Sequence, residues 1–331
     1  MVEFGLGLYP NVPVTDLVDS VEIAEKNGFE CVWITDQFFR RNVFSALTAC
    51  ALNTSTIKVA TGIVHSLYRH PTLLFSGIAT IDEVSNGRAV MGVGAGAWTE
   101  VQPLCINLDK HFSICREALE IITMLRNGKV SDYDGEIFKL RKGEWWEKEM
   151  AFALGRPIPI FLGARGLKMF ELAGRLADGV LTWGLSEGYL KHVVSLMKKG
   201  AQKSGGNKEP ALILKTTYSF SDDKAAKNRL KYNTAMLTAG TADSLLEKLN
   251  LNPETARDIR EKWKKGDITG ATESVDDQTI NAWHLVSSRE AMNDKLEELI
   301  KFGAKQIVVP ASGPDPKKFI ERFGKEVVPC F

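Results

Sequence analysis

Residues 58–96 read KVATGIVHSLYRHPTLLFSGIATIDEVSNGRAVMGVGAG, and this stretch decides the fold. The runs Lys58–Thr61 and 89–93 are short and mostly apolar, which predicts two buried strands. Between them, Pro71 begins a helix that ends near Asn86-Gly87, because proline suits a first helical turn and Asn-Gly stops a helix. The order strand, helix, strand predicts two parallel strands joined by a helical crossover.

The same alternation continues on both sides of this stretch. Eight strands, each followed by a helix, predict one closed (β/α)8 barrel, that is, an α/β TIM barrel. A doubly wound open sheet is the competing arrangement. The predicted strands are 4–8, 31–34, 58–61, 89–93, 158–162, 180–183, 212–220 and 306–310, and the predicted helices are 15–27, 43–52, 71–87, 111–126, 167–177, 187–203, 289–302 and a last one from 316 onward.

Two segments interrupt the alternation, at about 97–156 and 222–286. In the first, 130–140 with Asp134-Gly135 predicts a β-hairpin, and Trp145-Trp146 lies in a charged excursion. The second is polar, helix-prone and longer than one crossover needs. Because no Pro/Ser-rich linker separates them from the rest, we expect a single TIM-barrel domain over residues 1–331 that carries two insertions.

Composition excludes several classes of function. The chain has 42 basic and 41 acidic residues, so no net field attracts nucleic acid or a membrane surface. Its 5 cysteines lack metal-ligand or redox spacing, which favours reduced thiols. The start of the chain lacks a signal-peptide pattern, and no apolar run is long enough to span a bilayer. We predict a cytoplasmic protein with a small-molecule partner and no bound metal.

Glycine-rich turns follow several of the predicted strands. They occur at 61–63, 94–96, 163–166 and 311–313, and barrel enzymes carry their sites at these carboxyl ends. A single such glycine is explained by a tight turn, but the recurrence favours a ligand that approaches the backbone closely. Gly163–Gly166 also opens a helix, so its amide groups suit a phosphate, with Arg165 and Lys168 adding positive charge.

Few side chains stand out as catalytic candidates. Asp36 ends the second strand and either caps the next segment or hydrogen-bonds a cofactor ring. His65 follows the third strand and could act as an acid or base. We interpret His111, His192 and His284 as structural. The sequence offers no second acidic strand end for a glycosidase, no catalytic triad and no histidine cluster for a metal.

Taken together, these strand ends resemble the bacterial-luciferase-like superfamily of flavin and deazaflavin enzymes. Within it, the chain is most similar to methylenetetrahydromethanopterin reductases and their relatives, which use the deazaflavin coenzyme F420. The stretches that carry the superfamily resemblance are 61–71, 78–82, 85–89, 92–96, 161–164, 172–174 and 177–180, and those that carry the closer one are 265–267, 275–277, 307–315 and 326–329.

The resemblance implies an F420-dependent oxidoreductase, often a homodimer, that transfers a hydride between the deazaflavin and a small organic substrate. Methylenetetrahydromethanopterin is one candidate substrate. The resemblance also implies a non-prolyl cis peptide at Gly62-Ile63. Gln37, His65 and Trp183 are expected beside the substrate. The expected cofactor contacts are Asp36, Thr61, Gly62, Ile63, Gly94, Ala95, Gly96, Gly163, Ala164, Arg165, Gly166 and Thr182.

Two positions depart from the pattern of the reductases. Gly7 stands where the reductases carry a glutamate in the first strand, and Gln37 stands where many relatives carry a histidine. Because Gly7 replaces that glutamate, the chain lacks the carboxylate that would protonate a pterin. Either the substrate is different or His65 supplies the proton. Two alternatives remain: an FMN-dependent monooxygenase of the same superfamily, and a non-catalytic protein that binds F420 or a flavin.

Overall fold

Eight parallel strands form a closed barrel in the computed structural model, which describes residues 2–96, 109–143, 156–205, 209–220, 224–286, 288–313 and 315–331. Each strand pairs with the next along the chain, and the eighth pairs with the first. This closure confirms the TIM barrel and rules out the open sheet. The strands are β1 (Glu3–Leu8), β2 (Cys31–Ile34), β3 (Lys58–Thr61), β4 (Ala89–Gly94), β5 (Ile160–Gly163), β6 (Gly179–Thr182), β7 (Ala211–Lys215) and β8 (Ala304–Pro310).

Helices surround the barrel, and several of them begin at the residue that the sequence predicts. Proline at the first helical position and an Asn, Ser or Asp cap set most of these starts. The described helices are α1 (Val14–Lys26), α2 (Val43–Leu52), α3 (Pro71–Val84), α4 (His111–Arg126), α5 (Leu167–Leu176), α6 (Glu187–Lys203), α7 (Lys224–Ala239), α8 (Asp243–Leu246), α9 (Pro253–Lys264), α10 (Ile268–Glu273), α11 (Asp277–Trp283), α12 (Arg289–Lys301) and α13 (Pro316–Glu326).

The predicted seventh strand, 212–220, is wrong at its carboxyl end. β7 ends at Lys215, and a separate short strand, Tyr218–Ser219, pairs instead with Leu285–Val286. The chain turns away between them, where the Thr216 hydroxyl donates a hydrogen bond to the Trp283 carbonyl. Lys215, rather than a residue near 220, is therefore the strand end that faces the mouth of the barrel.

The first insertion contains the predicted hairpin. Tyr133–Asp134 pairs antiparallel with Lys139–Leu140, which confirms the turn at Asp134-Gly135. The buried carboxylate of Glu117 accepts backbone N–H groups of residues 136, 137 and 138 and anchors the hairpin to α4. Trp145 and Trp146 lie outside the described residues.

Side chains alternate between the barrel interior and the helical layer along each strand, as extended backbone requires. Trp33, Ala60 and Ile213 belong to a small interior cluster, whereas Val32, Val59 and their counterparts pack against the helices. The indole N–H of Trp33 donates to Gln306 Oε1 at 2.7 Å inside the barrel. This alternation decides which strand-end side chains can reach a ligand.

The second insertion, between β7 and β8, is helical and has an apolar cluster of its own. α7 packs against α9, α10 and α11 around buried side chains such as Leu230, Ile259 and Ile280. The interpretation of the chain as one domain with insertions stays a prediction. Among the described residues, no helix combines the length and the apolar character that crossing a bilayer requires.

Candidate active site

A cavity of about 560 Å³ opens at the carboxyl ends of the barrel strands. Its size is typical of a site for a cofactor or a small substrate. The end of α7 and the residues that follow it close one side, so the second insertion covers part of the mouth. The lining residues are Tyr9, Thr35, Asp36, Gly62, Ile63, His65, Ala95, Gly96, His111, Gly163, Ala164, Arg165, Gly166, Met169, Leu181, Trp183, Lys215, Met236, Leu237, Gly240 and Ala242.

One side of the cavity is built almost entirely from backbone and small residues. We call it the glycine wall: residues 62–63, 95–96 and 163–166, which follow β3, β4 and β5. The Gly62-Ile63 peptide is cis, as the resemblance implies. The Ile63 side chain occupies the space beside Gly163, where an added Cβ would lie 2.8 Å from Ile63 Cδ1. A larger side chain at Gly163 would therefore collide with Ile63.

The glycine wall ends at the start of α5. Gly166 precedes this helix and provides no side-chain cap, so the first amide groups of α5 have no intrahelical acceptor. Arg165 lines the cavity beside them and donates from Nη1 to the Leu237 carbonyl at 3.5 Å. Lys168 is exposed and does not line the cavity. The helix start and Arg165 together suit an anionic group.

Asp36 is buried below the mouth, and both of its carboxylate oxygens are engaged. Arg69 pairs with Oδ2 and also donates to Oδ1 at 3.1 Å, and the Tyr68 hydroxyl donates to Oδ2 at 2.9 Å. Burial and the Asp36 charge raise the pKa of Tyr68, so its hydroxyl stays a donor. Burial alone would lower the pKa of Arg69, but the Asp36 carboxylate raises it on balance. Asp36 therefore holds the loop after β3.

His65 reaches the cavity but is only 2% exposed. Its Nε2 lies 2.8 Å from the Asp36 backbone carbonyl, which can only accept, so Nε2 carries the proton. In the neutral tautomer Nδ1 is then an acceptor, and it is enclosed without a hydrogen-bond partner in the described residues. Gly96 covers it with a positive φ of 80°, and any side chain there would collide with the imidazole.

The opposite side of the cavity is built from large side chains. We call it the lysine corner: Tyr9, Trp183 and Lys215, which extend from β1, β6 and β7. Lys215 is only 7% exposed, and its Nζ lies 5.5 Å from the ring centroids of both Tyr9 and Trp183. These contacts are cation–π interactions, which compensate part of the charge. In the barrel order, β7, β8 and β1 lie opposite β3, β4 and β5, whereas β6, which carries Trp183, pairs with β5.

His284 is buried behind the lysine corner. Its ring packs edge-on against Trp183, with centroids 5.9 Å apart. Neither ring nitrogen has a hydrogen-bond partner in the described part of the chain, and burial lowers its pKa to about 3. His284 is therefore neutral at physiological pH, which agrees with its interpretation as a structural residue.

Most of the side chains and glycines predicted for the site line the cavity. Four do not. Thr61 and Thr182 fall on the outward side of the strand alternation: the Thr61 hydroxyl donates to the Gly92 carbonyl at 2.8 Å, and the Thr182 hydroxyl lies 3.0 Å from the hydroxyl of Tyr189 on α6. Gly94 lies beneath Ile63, and Gln37 lies beyond the strand end in a half-buried loop. These four residues do not line this cavity, and their contacts with a cofactor or a substrate stay predictions.

Several lining residues are not among those predicted from the sequence. Tyr9 and Lys215 escape prediction because β1 does not end in glycine and because the predicted seventh strand extends to residue 220. A lysine that directly follows the apolar run 211–214 is the available signal. Met236 and Leu237 belong to an insertion whose docking depends on tertiary contacts. His111, interpreted as structural, lines the cavity at the start of α4.

The described residues contain no cluster of His, Cys, Asp or Glu that could hold a metal ion. Cys31, Cys50 and Cys115 are buried free thiols whose pKa values burial raises, which makes them unreactive.

The sequence of the chain is similar to known enzymes over its whole length. The model of a family described as luciferase-like monooxygenase matches residues 1–306. A 5,10-methylenetetrahydromethanopterin reductase of Archaeoglobus fulgidus is 35% identical, over 99% of this chain and 99% of the relative. A second reductase of that name, from Methanopyrus kandleri, is 32% identical over 100% and 99%.

The fold is similar to the same group of proteins. The structure of the coenzyme F420-dependent tetrahydromethanopterin reductase from Methanopyrus kandleri superimposes with a TM-score of 0.84 at 31% identity. The match covers 100% of this chain and 99% of that one. The similarity therefore extends over nearly the whole length of both chains.

Proposed function

The chain belongs to the family of luciferase-like monooxygenases, and from this premise we propose that it is an F420-dependent oxidoreductase acting on a small organic substrate. The observation that carries the proposal is the end-to-end similarity to F420-dependent reductases, combined with a cavity of fitting size at the barrel mouth. Function in the cytoplasm and assembly as a homodimer stay predictions.

The residues present fit a flat cofactor with an anionic tail. On the glycine wall, Gly62, Ala95, Gly96, Gly163 and Ala164 line the cavity with backbone and small side chains, so a flat ring can approach the backbone closely. Arg165 and the start of α5 would hold a phosphate, because both offer N–H donors and positive potential. When bound, the deazaflavin would exchange a hydride with the substrate. The protein then has to orient two partners and exclude water between them.

The lysine corner would receive the substrate, because it faces the wall across the cavity. Trp183, predicted beside the substrate, belongs to this corner, and α7 with residues 236–242 closes the cavity over it. His65 would act by holding the loop after β2, because its protonated nitrogen is engaged with the Asp36 carbonyl. Methylenetetrahydromethanopterin is one candidate substrate, since the relatives that cover the whole chain are reductases of that compound.

Cofactor titration tests the proposal directly. We expect the purified protein to bind F420 at least tenfold more tightly than FMN and to change the F420 absorbance with one member of a substrate panel that includes the pterin. Tight binding of FMN with oxygen consumption would instead support the monooxygenase alternative. Bound F420 that no panel member oxidises or reduces would support the non-catalytic alternative.

A matched pair of variants tests the placement of the anionic tail. Arg165→Gln removes a charge that lines the cavity, and we expect F420 affinity to fall about tenfold, the effect of one charge-assisted hydrogen bond. Lys168→Gln removes an equal charge three residues away that does not line the cavity, and we expect less than a twofold change. Equal effects of the two variants would contradict the placement.

A further inference from the structure

We propose that Lys215 is the binding site for an oxyanion of the substrate, a carboxylate or a phosphate ester, and this inference rests on the proposed function. The starting observation is a lysine at the end of β7 that lines the cavity and is only 7% exposed. Its recorded contacts are the two aromatic rings of the lysine corner, and the described residues place no carboxylate within ion-pair distance.

Such an arrangement is unusual, because buried charges in proteins are normally paired. Among the described residues that line the cavity, the acidic one is Asp36, and Arg69 and Tyr68 already occupy its oxygens. Gly7 is the inward-facing residue of β1 two positions before Tyr9, and as a glycine it has no side chain that could pair with Lys215. The positive charge of Lys215 is therefore left for a ligand.

The geometry separates this charge from the positive charge proposed for the cofactor tail. Arg165 and the start of α5 follow β5, whereas Lys215 ends β7 and lies against Tyr9, which follows β1. The two cationic groups thus lie at the ends of strands that β6 separates. A cofactor that lies on the glycine wall with its tail at α5 leaves the lysine corner to the second reactant.

The rings of the corner narrow the class of anion. Tyr9 and Trp183 flank Nζ, so the anion has to approach between two aromatic faces and carry a small apolar or planar body. Lysine offers three donors from a point charge, which suits both carboxylate and phosphate oxygens. A carboxylate and a phosphate ester both present such oxygens, and titrations with acetate and with phosphate distinguish the two groups.

Anion titrations of the full-length protein test the inference, first without and then with saturating F420. The probes are sodium acetate and inorganic phosphate, and the signal is a change in tryptophan fluorescence. The same titrations of Trp183→Phe identify the part of that change that comes from Trp183. We expect a saturable response to at least one probe in both titrations. The stronger of the two identifies the substrate group as a carboxylate or a phosphate ester.

Variants then assign the response to Lys215. Lys215→Met should weaken the anion affinity at least tenfold, and Lys215→Arg should retain most of it, which shows that loss of folding is not the cause. Lys191→Met is the matched control, because Lys191 also lies over an aromatic ring, that of Phe302, but is exposed on α6. F420 affinity should stay within twofold in all three variants.

Two results would overturn the inference. One is an anion affinity that Lys215→Met leaves unchanged. The other is a loss of F420 affinity that parallels the loss of anion affinity, because Lys215 would then belong to the cofactor site. Failure of the wild-type protein to bind F420 would contradict the proposed function alone, since the titration without cofactor tests Lys215 independently.

Discussion

The two sides of the barrel mouth are built by opposite means. The glycine wall after β3, β4 and β5 offers backbone, small residues and a helix start, whereas the lysine corner offers a buried ammonium between two aromatic rings. A backbone surface lets a flat ring approach closely, whereas a buried ammonium attracts an anionic group. The difference suggests that the wall reflects the cofactor and the corner reflects the substrate.

The largest effect should come from removing the carboxylate that holds the loop beside the wall. Asp36→Ala leaves the Arg69 guanidinium and the Tyr68 hydroxyl without their partner, and breaking a buried pair costs about 3–5 kcal/mol. We expect the free energy of unfolding, measured by urea denaturation, to fall by that amount, and F420 affinity to fall with it.

Asp19→Ala is the control for this variant. Asp19 pairs with Lys317 at 2.8 Å, but both side chains are about half exposed, so the loss should stay below about 1 kcal/mol. If Asp36→Ala cost no more than Asp19→Ala, the loop after β3 would not depend on the buried pair, and the wall would be supported by its backbone alone.

The second prediction concerns the support of the lysine corner, and it depends on pH. Burial lowers the pKa of His284 to about 3, below the ordinary value of about 6.5. Between these values the unfolded chain binds a proton that the folded chain does not, so stability falls as the pH falls from 6.5 toward 3. In His284→Phe this contribution is absent.

Thermal or urea denaturation at pH 7 and pH 4 measures the effect. We expect the wild type to lose about 3 kcal/mol more than His284→Phe over this range. His192→Phe is the control, because His192 lies on α6 with partial exposure and should change the slope much less. Equal slopes for wild type and His284→Phe would mean that water reaches the ring and that the corner is not closed from behind.

The wall could be predicted from the sequence, whereas of the corner only Trp183 could, for a physical reason. Glycines at strand ends are local signals, so the sequence alone identifies Gly62, Gly96 and Gly163. Lys215 becomes a site residue only because β7 stops there and because Tyr9 after β1 and Trp183 after β6 supply ring faces. Such a constellation depends on barrel closure, which joins residues about 200 positions apart.

Alternation along the strands explains why two of the predicted site residues do not line the cavity. Thr61 and Thr182 stand at strand ends, but their side chains belong to the helical side of the barrel. Ala60 and Leu181 belong to the cluster inside the barrel. Because neighbouring residues on a strand face opposite sides, the side chains of Thr61 and Thr182 face the helices. The position of a strand end alone therefore predicts the region of a site. The direction in which each side chain points is needed to predict which residues line it.

The smallest effect sharpens the comparison at a single backbone position of the wall. Gly96 has a φ of 80°, which L residues adopt at a cost of about 1–2 kcal/mol, and a Cβ there would collide with the enclosed His65 ring. Gly266 has the same φ of 80° after α9 and no described atom within 4 Å of an added Cβ. Gly96→Ala and Gly266→Ala therefore share the backbone cost and differ only in the collision.

Urea denaturation and F420 titration of these two variants separate the collision from the backbone cost. We expect losses in the free energy of unfolding of about 2 kcal/mol for Gly96→Ala and about 1 kcal/mol for Gly266→Ala. F420 affinity should fall at least fivefold in Gly96→Ala and stay unchanged in Gly266→Ala, because only the first displaces a side chain at the wall. An unchanged F420 affinity in Gly96→Ala would separate the cofactor from this part of the wall, and the division of the mouth into a cofactor side and a substrate side would have to be redrawn.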